Sequence, residues 1–134
     1  MDGGIGDDGL TKLGVAAALS REYEADEKAF MGFLAQSLER ILGPDVELAY
    51  SGGFLAKKTL RSVTLSCGED RFTLEDPGHG PLKAKMVHFV RGIALKTVEM
   101  KVDEWLAAVS EIIELRASEH AAARRALEGM LGLS

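Results

Sequence analysis

Cysteine is almost absent from this chain: one residue, Cys67, occurs among 134, so no intramolecular disulfide staples the fold. Its neighbours Ser66 and Gly68 supply no charge that would depress a thiol pKa, which makes Cys67 a strand-end residue rather than a nucleophile. Aromatic residues are scarce, at 6%, and leave few rings for stacking on bases. Long apolar runs are also missing. The longest, LGVAAAL, contains a glycine and falls far short of the roughly 20 residues that a membrane helix needs. The opening MDGGIGDDG carries three aspartates and no basic residue, unlike a secretory signal. These absences predict a cytoplasmic protein with no membrane segment.

What is present resembles an ordinary globular domain. Apolar residues make up 46% and charged residues 28%, and a chain of this length buries roughly 65–70% of its unfolded surface in one core. The net charge of −5 is unevenly spread: residues 1–50 sum to −6, residues 51–101 to +4 and residues 102–134 to −3. A basic middle between acidic ends either faces an anionic partner or sits between acidic helices of its own chain.

Five glycines in the first fourteen residues make ordering costly in backbone entropy for little apolar area, so residues 1–19 are expected to be a flexible tail and residues 20–134 a single domain. From about Ser20 to Leu42, Tyr23, Phe30, Leu34, Leu38, Ile41 and Leu42 recur at helical spacing and predict one amphipathic helix. Gly43 and Pro44 end it. The period then becomes two: Val46, Leu48 and Tyr50; Val63, Leu65 and Cys67; Phe72 and Leu74. These alternations predict three short strands. The run LKAKMVHFVRGIALKTVEM is too long for one flat strand, and Gly92 marks a bulge or bend with β structure on both sides. Asp103 is the expected N-cap of a C-terminal helix whose stripe is Trp105, Leu106, Val109, Ile112 and Ile113. Beyond Leu115 the apolar residues thin to alanine, so residues 103–131 form either one long helix or two, with Ser118 capping the second. The expected class is α+β: an N-terminal amphipathic helix, an antiparallel sheet of about four to five strands, and the C-terminal helix or helices on one sheet face.

Candidate chemistry is sparse. SGGFLAKKT, residues 51–59, places Lys57 where a phosphate loop requires its second glycine, and the following LRSVTLS alternates like a strand instead of opening a helix. The segment therefore reads as a glycine turn between strands. His79, His88 and His120 lack the ligand spacings of a zinc site. His88 reads as a half-buried, hydrogen-bonded strand residue, and His79 as an exposed turn residue. No nucleophile–base constellation is visible, and neither catalysis nor a cofactor is expected. Two interaction surfaces remain. Lys57, Lys58 and Arg61 lie around the first turn, and Lys83, Lys85 and Arg91 share a period-two face with Phe89 nearby; lysines interleaved with an aromatic would suit nucleic acid or an anionic ligand, although a pI near 5.2 opposes the former. Leu127, Met130 and Leu131 form a helix interface if the last helix projects. The leading expectation is a non-enzymatic adaptor or chaperone-like domain that binds a protein partner or itself, with the basic sheet face as the alternative.

Overall fold

The computed structural model describes residues 3–52 and 57–132. Helices α1 (Gly3–Ala25) and α2 (Glu27–Leu42) precede five strands, β1 (Val46–Ser51), β2 (Thr59–Cys67), β3 (Asp70–Glu75), β4 (Lys83–Val90) and β5 (Ile93–Met100). Helices α3 (Val102–Glu119) and α4 (Ala121–Leu131) close the described chain. The strands form one antiparallel meander in sequence order, as short connections require. The α+β expectation holds.

Alternation sorts the sheet into two faces. Val63, Leu65, Leu74 and Ala84 are buried on the inner face, where α2 meets β1 and β2 and α3 meets β3 and β4. The outer face carries Thr64 and Thr73, whose hydroxyls lie 3.0 Å apart, and Arg71, whose guanidinium sits 4.3 Å over the Phe89 ring. Against the inner helices pack α1, which touches α2 and α3, and α4, which touches the same two. Phe30, Leu34, Leu38, Trp105, Leu106, Val109 and Ile113 fill the space between helices and sheet.

Three expectations need correction. Residues 1–19 are not a tail as a whole: α1 begins at Gly3, and Val15 and Leu19 are fully buried. Glycine density outweighed, in the sequence, a segment (VAAALSREY) whose alanines favour helix and whose Val15, Leu19 and Tyr23 fall four apart on one face. The single helix over Ser20–Leu42 is two, interrupted at Asp26, whose carboxylate accepts from the Ala29 amide at 3.1 Å as an N-cap does. Asp103 is not the N-cap of α3. Lys101 occupies that position, and the Glu104 carboxylate reaches back to its amide at 3.0 Å.

The C-terminal ambiguity resolves into two helices separated at His120, whose extended backbone (φ −134°, ψ 122°) turns α4 back onto α2 and α3. Ser118 does not cap α4; its hydroxyl donates to the Leu115 carbonyl. Arg116 ties α3 to the end of α2, donating to Asp45 at 2.5 Å and to the Leu42 carbonyl at 3.4 Å. That guanidinium satisfies a helix-terminal carbonyl that α2 cannot bond internally.

The bend expected at Gly92 is a two-residue hairpin turn, since Val90 pairs with Ile93 and both intervening residues have positive φ (Arg91 53°, Gly92 81°). A bulge does occur nearby, where His88 opposes Lys96 and Phe89 opposes Ala94, leaving Leu95 unpaired. Arg91 is the only non-glycine residue with positive φ among those described. Because left-handed backbone costs an ordinary residue about 1–2 kcal/mol and asparagine suits this turn position, Arg91→Asn should raise folding stability by about 0.5–1 kcal/mol. Urea denaturation checks this; a loss of stability would mean that Arg91 makes a contact that outweighs its strain.

Candidate functional site

The structure divides the six basic residues of the sequence-derived patch. Lys57 and Lys58 lie exposed just before β2, and the turn they close is pinched: a Cβ on Gly52 (φ 130°) would come within 2.8 Å of the Lys57 carbonyl oxygen. Arg61 is half-buried near the start of β2, with Nε donating to the Ser51 hydroxyl at 2.7 Å. Residues 53–56, the middle of that turn, lie outside the described residues. Lys83 and Lys85 project from the outer face of β4, but Glu75 stands opposite Lys83 and Glu99 opposite Lys85. Arg91 is not on that face. It occupies the β4–β5 turn, separated from Lys83 by the length of β4, about 26 Å at the usual strand rise. The six cations therefore form no continuous stripe, and acidic neighbours interrupt the outer face where phosphate would have to bind.

The expected helix interface is also redistributed. Leu127 is buried, and Met130 and Leu131 pack half-buried against the same core. By folding back, α4 covers these residues with the chain's own helices. Among the described residues no projecting apolar helix remains for a partner.

His88 is half-buried and bonded through Nδ1 to Asp70 at 2.7 Å, as a strand histidine with a partner was expected to be. Cys67, Asp70, His88 and Lys96 form one cross-strand row. Asp70 stands between Cys67 and His88, so thiol and imidazole are two strand spacings apart, about 10 Å, and the histidine cannot serve as the thiol's base. His79 is exposed between Gly78 and Gly80, and His120 is exposed at the α3–α4 junction. Among the described residues no cluster of three or more metal-ligating side chains occurs. No described helix is long and apolar enough to cross a membrane.

What the sequence did not reveal lies on β5. Every residue from Arg91 to Thr97 is exposed, and Ile93 and Leu95 are 64% and 61% accessible. Three features place them there. β5 is a sheet edge, the bulge at Leu95 increases local twist, and α3 packs on β3 and β4. The hairpin tip thus projects from the domain with its aliphatic side chains in water. The Arg91-Gly92 pair was the available signal: read as a two-residue turn, it would have made Ile93–Met100 an edge strand.

A shallow cleft of about 460 Å³ lies at the opposite end of β4 and β5, lined by Tyr23, Lys83, Met100, Lys101 and Asp103 among others. Burial raises the Tyr23 phenol above its ordinary pKa, and the carboxylates of Glu27 and Asp103 raise it further. The folded chain therefore keeps this proton to higher pH than the unfolded chain, and stability should fall as pH rises above the unfolded value of about 10. Urea denaturation at pH 9 and pH 11 should show that fall, and Tyr23→Phe should reduce it. An equal fall in the variant would assign the effect to other groups.

Compared with known proteins, the chain matches no family, no curated protein and no solved structure.

Proposed function

We propose that this is a self-associating protein-interaction domain whose contact surface is the β5 edge and the β4–β5 hairpin tip. The observation that carries the reading is the exposure of Ile93 and Leu95 on an edge strand. Exposed aliphatic residues beside unpaired backbone donors and acceptors form a template for strand addition. The alternative edge, β1, is two residues shorter.

Symmetry favours a second copy as the occupant. Two identical edges pair antiparallel about a two-fold axis perpendicular to the sheet, giving ten continuous strands with both helical layers on one side. Centring the axis on Val98 sets this half-buried valine against its own copy, Lys96 against the partner's Met100 and Thr97 against the partner's Glu99. Centring it on Lys96 or on Glu99 would oppose like charges. The bulge limits continuous pairing to the segment after Leu95, and Ile93 and Leu95 would then cover the partner's edge beyond the paired segment. A reducing compartment such as the cytoplasm, where the free, exposed Cys67 would remain a thiol, fits this reading.

Hydrogen exchange tests the pairing directly. The β5 amides pointing away from β4 should exchange more slowly as protein concentration rises, while β1 edge amides should not change. Equal exchange at low and high concentration would exclude edge pairing.

A further inference from the structure

A second cleft lies at the other end of the sheet from the hairpin, between the start of α2, the start of β2 and the 76–82 turn. Its volume is about 740 Å³, within the range of small-molecule sites, roughly 300–1,000 Å³. The floor is apolar: Met31 and Leu82 are buried, and Leu60 is half-buried. One fixed cation stands in the wall. Arg61 is held by its Nε bond to Ser51, and among the described residues no other side chain takes its remaining N–H groups. Gly78, with φ 95°, lets the turn approach this guanidinium, since a Cβ there would lie 3.1 Å from Nη1.

The acids lining the cleft already have backbone partners. Asp76 accepts from the Gly78 amide at 2.9 Å, and Glu27 accepts from the Leu82 amide at 3.0 Å. These two carboxyl groups line the cleft and restrict the ligand's charge. A phosphate monoester, near −2, would meet two carboxylates with one fixed cation to offset them. A carboxylate carries a single charge, and its two coplanar oxygens match the parallel N–H pair of a guanidinium.

We propose that this cleft binds a small monocarboxylate with an apolar body, its carboxylate on Arg61 and its body over Met31, Leu60 and Leu82. The site is separate from the β5 edge, so its failure would leave the self-association reading untouched. The probe is octanoate, titrated into the full chain and followed by amide correlation spectra. Saturable shifts are expected at Leu60, Arg61, Gly78, Gly80 and Leu82. Arg61→Gln should weaken binding at least tenfold, and 1-octanol, which has the same body without the carboxylate, should bind at least tenfold more weakly. Gly32→Leu is the second variant. A Cβ at Gly32 meets nothing within 4 Å and leucine favours helix over glycine, so this chain should fold while its side chain occupies the cleft and abolishes binding. If Arg61→Gln does not fold, Gly32→Leu alone decides. Absence of saturable shifts, shifts centred elsewhere, equal binding of 1-octanol, or undiminished octanoate binding by a folded variant would each overturn the proposal.

Discussion

Leu19→Ala should destabilise the domain by about 2–5 kcal/mol, the usual cost of removing a buried leucine side chain and leaving a cavity. Leu19 is fully buried in α1, which rests on α2 and α3, and the neighbouring Val15 is equally enclosed. Domains of this kind are typically stable by about 5–15 kcal/mol, so the variant would lose a large fraction of its margin. Urea denaturation followed by Trp105 fluorescence measures the loss, because Trp105 is fully buried and its emission reports global unfolding. A change below about 0.5 kcal/mol, the range of ordinary surface substitutions, would mean that this part of α1 does not pack on the core. The prediction separates an integral helix from the tail that glycine content alone suggests.

The second large effect is expected at the hairpin. Ile93→Asp combined with Leu95→Asp replaces two exposed aliphatic side chains with charges, so the folded chain loses no buried apolar contact of comparable size. Folding stability should change by no more than about 1 kcal/mol for the pair. Self-association should be lost, because two-fold symmetry places every introduced charge in the contact twice, four carboxylates per dimer, and takes away its most exposed apolar area. The two readouts together separate a contact surface from a fold requirement. Dissociation accompanied by a large loss of stability would show instead that Ile93 and Leu95 support the monomer.

Much of the fold was legible because it rests on periodicities that packing reinforces. The period-two runs around Val63, Leu65 and Leu74 became the inner face, and the stripe Trp105, Leu106, Val109 and Ile113 became the helix surface against it. Breaks were harder to read where a polar residue ends a helix within a continuing pattern. Asp26 and His120 both lie inside helical stretches, and tertiary contacts of α1 and α4 decide that the chain turns there. The last helix illustrates the limit most clearly. Leu127, Met130 and Leu131 advertise an apolar stripe, but whether it meets a partner or its own domain depends on one backbone reorientation at His120.

The candidate surfaces were less legible than the fold. Lys83, Lys85 and Arg91 share a parity in the sequence, but parity implies a common face only within one uninterrupted strand, and the turn at Arg91-Gly92 ends it. Cross-strand neighbours were equally invisible: nothing near Lys85 in the sequence indicates that Glu99 will lie opposite it. The cleft around Arg61 joins segments near residues 27–32, 59–61 and 76–82, and no local motif connects them. Exposure of Ile93 and Leu95 follows from the edge position of β5 and from how far the helices extend across the sheet, properties of the assembled domain.

Sedimentation equilibrium of the full chain across micromolar concentrations, run beside the Ile93→Asp/Leu95→Asp variant, tests self-association through β5 most directly. The wild-type mass is expected to approach twice the 14.4 kDa of one chain as concentration rises, and the variant to stay at 14.4 kDa while unfolding at nearly the same urea concentration. A wild-type chain that remains monomeric throughout, or a variant that dimerises equally well, would contradict self-association through β5.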